Sequence, residues 1–383
     1  MDDAECLCYF RTVGAHRDDE RTELGVRIAE GRALADLTQA QLAQRCGIER
    51  TALAKIESGT RRVSATELVA IAAALDRPAD WFFASSPPAV VSRRADPAVG
   101  GRSAALDSRV ERVARDVEDL VKNDVLAQAT HTYLSPPGDL EAAEHRAGEA
   151  RRLLGLESEP LIELQAASER MGLLAFSLPL GPSGGDAAYV ALGSWGVAVV
   201  NGSADPGRRR FNLAHELGHH LFGDAYAPEI GLSPQDETEK LINSFAINLL
   251  LPRDGVLAVW EEFTTEPRLA ATALAVRFRV SWTAVCAQLR NLDLIDAGQR
   301  EGLASSPLRK SDFVELGEHW VAEMDPPSIP SDYGRRVLGA YRRGKLTSAR
   351  TVELLWGTVP EAELPEQAEI PIEALRRDFT PLP

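Results

Sequence analysis

Apolar positions recur at helical spacing along most of the chain, and give way to alternating or continuous runs only between about 173 and 201. Near the N-terminus, Leu42 with Ala43, Leu53 with Ile56, and Leu68, Ile71, Ala72 and Leu75 mark the inner faces of three short helices. Thr38, with Gln41 three positions later, predicts a capping box. Gly47 predicts a tight turn, Gly59 a helix end and Ser64 the cap of the next helix. Residues 106–126 predict an amphipathic helix with Val110, Val113, Val117, Leu120 and Val121 on one face, which reads as packed core ahead of a short coiled coil. Helices at about 139–154 and 160–171 precede a strand at 173–177. Ala188–Leu192 and Trp195–Asn201 then predict a hairpin turning at Gly193 and Ser194.

Arg208, Arg209 and Arg210 lead into a helix striped by Leu213, Leu217 and Leu221, with Gly218 expected to admit a neighbouring backbone. A further helix over 239–251 carries Ile242, Phe245, Ala246, Leu249 and Leu250 inward, and Pro252 stops it. Residues 273–292 repeat a helix-turn-helix-like pattern with Ser281 as cap, which reads as a helical subdomain ahead of a second reader of DNA. Short helices at 331–343 and 347–356 come after it, with no role legible in them. These elements predict a mainly α chain with a small β-sheet: an N-terminal helix-turn-helix bundle, an α+β domain and a C-terminal helical region.

A length of 383 residues with 44% hydrophobic content implies two or three domains. The expected division is a tail over 1–20, the helix-turn-helix unit over 21–85, a linker and amphipathic helix over 86–138, the α+β domain over 139–256, the helical subdomain over 257–305 and the C-terminal region over 306–383. No apolar run is long enough to cross a membrane, and the acidic start is unlike a signal peptide. Four cysteines, Cys6, Cys8, Cys46 and Cys286, form no disulfide framework; the last two are expected in reduced cores. Cys6 and Cys8 lie in the tail. The expected location is cytoplasmic, with no membrane partner.

The chain has seven histidines, and two of them, His215 and His219, flank Glu216. On a helix, residues i and i+4 share a face, so both imidazoles can hold one Zn2+, while Glu216 can take a proton from water beside it. Glu239 is the candidate third ligand, with Asp236 and Glu237 as rivals. Asn243, one turn on, is placed to hydrogen-bond a ligand histidine. His220 is on the wrong face and reads as structural. Tyr189, Tyr226 and His220 are candidates for stabilising an oxyanion, and none is singled out. The strand at 195–201 is the candidate edge strand for holding an extended peptide by backbone pairing. The three arginines are read either as binding an acidic substrate or nucleic acid, or as orienting the helix entry.

The N-terminal helices have helix-turn-helix spacing, which places the second to enter a major groove. Its exposed face offers Arg50, Thr51 and Lys55 to bases, and Gln39, Arg61 and Arg62 to phosphates. Between 21 and 83, nine basic and eight acidic residues leave this unit near +1, so the rest of a chain of net charge −15 is strongly acidic. That balance suits a small specific contact with operator DNA and opposes broad non-specific binding.

The run Arg209–Ala214, then His215-Glu216-Leu217-Gly218-His219, then Glu239 to Pro252, resembles the ImmA/IrrE family of zinc metallopeptidases. The N-terminal segment resembles the XRE, or lambda-repressor-like, helix-turn-helix family, and the order is similar to fused XRE–ImmA/IrrE regulators. The resemblance implies a zincin-like α+β peptidase domain with His215, His219 and Glu239 as zinc ligands and Glu216 as catalytic base. It also implies cleavage of a transcriptional repressor under stress or on a mobile-element signal. One departure is Ile242, where the family has a small residue; it is expected to crowd the helix packing. The competing expectations are a non-enzymatic DNA-binding regulator with a structural or sensing zinc site, and a toxin–antitoxin or phage-defence component. A homodimer is a further expected partner state.

Overall fold

The computed structural model describes residues 21–33, 35, 37–75, 79–83, 90–94, 104–130, 132–223, 235–263, 265–319 and 321–368. The tail with Cys6 and Cys8, most of the expected linker, Tyr226 and the side chain of Asp236 lie outside the described residues. The chain divides into two compact units, 1–87 and 88–383.

The first unit is helical. A helix over 21–33 (α1) is followed by α2 (Gln39–Cys46), α3 (Arg50–Glu57) and α4 (Ala65–Ala74). Thr38 and Gln41 form the expected capping box, and Ser64 with Glu67 forms a second. Gly47 ends α2 at φ 67°, a left-handed conformation in which a side chain would be strained. Ile28, Leu42, Leu53, Ile56, Ile71 and Phe82 fill the core. Cys46, expected inside it, is only half-buried.

The second unit is built on a four-stranded sheet of β1 (Val90–Arg94), β2 (Leu173–Leu178), β3 (Ala187–Leu192) and β4 (Trp195–Asn201), in the order β1-β3-β4-β2. β3 pairs antiparallel with both neighbours, and β2 runs parallel to β4. Alternate residues serve two cores. Leu173, Ala175, Ala187, Tyr189, Ala198 and Val200 face one, and Leu174, Phe176, Ala188, Val190, Val197 and Val199 face the other. Burial on both faces explains why these strands read as continuous apolar runs.

The first core is covered by α6 (Leu140–Leu153), α7 (Leu164–Arg170), α8 (Pro206–Phe222), α9 (Gln235–Leu250), α10 (Arg253–Glu262), α11 (Pro267–Arg277) and α12 (Trp282–Asn291). α13 (Ala297–Ala304) and α14 (Lys310–Leu316) come next. The second core is covered by α5 (Ala104–Lys122), α15 (Ser331–Arg342) and α16 (Ser348–Leu354). Arg151, buried at the end of α6, donates to the Leu249 carbonyl at 2.7 Å and so caps the end of α9. Its burial pushes the guanidinium down to about 10.

The structure bears on several expectations. Among the described residues of 86–138, β1 pairs with the sheet, and the valine stripe of α5 is core, as it reads in the sequence. The strand at 195–201 is internal, because β2 finds its parallel partner on the far side of the β3–β4 hairpin. The outer edge of β2 is covered too, since Ser177 and Ser328 exchange both backbone hydrogen bonds at 2.9 Å. α12 cannot read DNA with its Trp282–Leu289 face. That face is packed inside, with the Trp282 indole donating to the Leu303 carbonyl and Gln288 donating to Asn248 and the Leu251 carbonyl. Among the described residues no single helix is long and apolar enough to cross a membrane.

Candidate metal centre and nucleic-acid interface

α8 is the element on which the second unit turns. Asp205 caps it by accepting from the Gly207 amide at 2.9 Å. A side chain at Gly207 would strike the backbone of Ser281, so the turn before α12 packs directly on the start of α8. Arg209 and Arg210 are 3% and 1% exposed, which overturns their reading as substrate or nucleic-acid contacts. Arg209 donates to the carbonyls of Gly202 and Met324 and pairs with Asp325 at 2.7 Å. Arg210 pairs with Glu323 and donates to the carbonyls of Leu161 and Ile162. Together they bind the helix entry to α7's approach and to a C-terminal segment in which no role was legible. Arg208 stays at the surface, paired with Asp186 at 2.8 Å.

Between two and three turns into α8 the site face begins. His215 and His219 are buried, and their Nε2 atoms lie 3.1 Å apart. Glu239 reaches both from α9, with Oε2 3.2 Å from His215 and Oε1 3.6 Å from His219. Glu239 stands one turn inside α9 rather than at its start, because the helix begins at Gln235. Atoms bound tetrahedrally to one zinc at about 2.0–2.1 Å sit about 3.3 Å apart, so this triangle has the size and the donors that zinc requires. Among the described residues it is the one cluster of this kind. Burial acts to raise the Glu239 carboxyl, but its contacts with the His215 and His219 imidazoles outweigh it and hold the group well below the usual carboxylate range.

Asn243 Oδ1 lies 3.1 Å from His215 Nδ1. The amide oxygen can only accept, so Nδ1 carries the proton and Nε2 keeps its lone pair toward Glu239 and His219. Asn243→Ala is therefore expected to weaken zinc binding by about 10–100-fold, measured by competition with a chelator. Unchanged affinity would remove Asn243 from the site.

Glu216 is fully buried, and neither carboxylate oxygen has a hydrogen-bond partner among the described residues. A buried carboxylate left unbonded is costly, and such groups persist where a reaction uses them. Asn212, one turn earlier, has a buried amide nitrogen in the same condition; no sequence signal drew attention to it.

The packing explains the rest of the motif. A side chain on Gly218 would come within 3.0 Å of Phe245 and 3.2 Å of Ile242. Side chains of α9 therefore press on this glycine, not a neighbouring backbone, and the unusual Ile242 is accommodated by it. His220 is structural, as expected. Its Nε2 lies 3.2 Å from the Met171 carbonyl, so it donates there, and Nδ1 accepts from the Tyr189 hydroxyl at 3.1 Å. That pairing, buried in the core, takes both Tyr189 and His220 out of the set of oxyanion donors. Glu237 is exposed and outside the ligand cluster.

In the first unit, Arg50, Thr51, Lys55 and Arg62 are exposed. Two other expected contacts also have partners within the fold. Gln39 donates to Glu57 at 2.8 Å, and Arg61 pairs with Glu67 at 2.8 Å. Arg32 joins Glu57 as well, at 2.7 Å, tying α1 to α3.

Comparison with known proteins agrees with both halves of this description. Residues 168–290 match the peptidase family described as the IrrE N-terminal-like domain. Residues 28–82 match the helix-turn-helix family. The restriction-modification controller protein C.AhdI from Aeromonas hydrophila is similar over 17% of this chain and 98% of its own, at 31% identity and a TM-score of 0.17. No curated protein matches the chain.

Proposed function

We propose that the chain, which carries a helix-turn-helix domain and an IrrE-like peptidase-family domain, is a DNA-binding regulator with zinc-dependent endopeptidase activity. The substrate we infer is a transcriptional repressor, cut in response to stress or a mobile-element signal. One observation carries the enzymatic reading. The triangle of His215, His219 and Glu239, with edges of 3.1, 3.2 and 3.6 Å, includes the residue just before a fully buried Glu216, whose oxygens have no hydrogen-bond partner among the described residues. A purely structural or sensing zinc site has no use for that unbonded carboxylate.

His215, His219 and Glu239 would hold the metal. Bound there, zinc supplies acidification of water and polarisation of a peptide carbonyl. Glu216 accepts the proton as water attacks that carbonyl, and then returns it to the departing amine. Asn243 keeps the His215 ring in the tautomer this requires. Incubating the purified protein, with and without zinc, with repressors encoded beside its gene tests the reading. Discrete zinc-dependent fragments are expected; intact repressors under all conditions would oppose it.

The exposed Arg50 and Lys55 support reading of DNA by α3. Replacing a base-contacting arginine is expected to cost about 1–3 kcal/mol and to relax specificity at its base. Footprinting of an Arg50→Ala/Lys55→Ala variant checks this, and unchanged site selection would place the contact elsewhere.

A further inference from the structure

Sheet edges beside a metal-bearing helix are where an extended peptide can be held by backbone pairing. In this sheet β3 would be such an edge, but β1 lies on it. Ser92 stands opposite Tyr189, whose hydroxyl reaches His220, the residue after the ligand His219. β1 also comes within 8 Å of α8, measured between Cα atoms. It runs antiparallel to β3, as an added peptide strand can, and its ladder is short and interrupted. The strand has five residues, and its register shifts between Val90 and Ser92. Such a bulge leaves a residue unpaired and interrupts the ladder.

We propose that β1 is an internal occupant of the peptide-binding edge: the segment that comes after the helix-turn-helix unit lies where an extended peptide substrate would pair with β3, and the two compete for it. This rests on the peptidase reading only for the identity of the competing peptide. The competition makes access to the edge depend on whether β1 stays paired. An edge whose open form is populated about one-tenth of the time binds about tenfold more weakly than an open one.

The test uses the full chain carrying Glu216→Gln, so that binding is read without cleavage and a protein that cuts nothing still reports on the edge. The probe is a fluorescent peptide with the sequence of residues 88–96, and the readout is anisotropy. Val91→Pro/Ser92→Pro removes a ladder N–H whichever of the two residues faces β3. It is expected to bind the probe about tenfold or more tightly than the parent. Val90→Cys/Val190→Cys joins two paired residues, and once oxidised is expected to lose binding and recover it on reduction. Equal affinity in the parent, the proline variant and the oxidised variant would overturn the proposal, as would tight binding that the cross-link leaves untouched. Should the proline variant fail to fold, the cross-linked one decides alone. Cleavage that proceeds equally in parent and proline forms of the Glu216-containing protein would overturn β1's occupancy and leave the peptidase reading standing.

Discussion

Glu216→Gln is expected to keep zinc at the level of the parent protein while peptide hydrolysis falls by about 10²–10⁴-fold. The two effects separate because the proposed ligand atoms belong to His215, His219 and Glu239, whereas the buried Glu216 carboxylate makes no hydrogen bond to any of them. Glutamine preserves the volume but cannot accept a proton. Its amide should also lessen the burden of a buried, unbonded carboxylate, so the variant is expected to be at least as stable to heat as the parent. Metal analysis, an assay of repressor cleavage and a thermal melt together check this. Hydrolysis at the parental rate would remove Glu216 from the mechanism, and loss of zinc would make it part of the metal's environment.

The second large effect is expected at Arg210. This guanidinium is 1% exposed and serves Glu323 and the carbonyls of Leu161 and Ile162. Truncating one member of a buried ion pair leaves the other desolvated without its partner, which costs about 3–5 kcal/mol. Arg210→Met is therefore expected to be destabilised by that amount in urea unfolding. Removing the second charge as well, in Arg210→Met/Glu323→Leu, should recover part of the loss, because the uncompensated carboxylate goes with it. A single variant within about 0.5 kcal/mol of the parent would show that the pair contributes no more than a surface one. Since Arg210 lies on the helix that bears His215 and His219, the single variant should also hold zinc less tightly.

The features legible in the residues alone were those that local spacing decides. Two histidines at i and i+4 must share a helix face, and Thr38 with Gln41 marks the start of α2. The valine stripe of α5 announced a buried face without saying what buries it. The unread features depend on partners far along the chain. Glu323 meets Arg210 across 113 positions. β1 is five residues long, and its partner β3 begins at Ala187. The central place of β4 comes from sheet order, which alternation within a strand does not encode. That Gln39 and Arg61 also bond to Glu57 and Glu67 could not be read, because these acidic partners become neighbours only in the folded unit. Asn212 gave no signal because a buried unpaired amide is defined by its surroundings.

The central claim is that His215, His219 and Glu239 form a metal centre, and zinc stoichiometry of the purified protein tests it most directly. A single zinc per chain is expected in the parent, a lowered occupancy in Glu239→Ala, and none in the His215→Ala/His219→Ala double variant. Full zinc in that double variant would contradict the account.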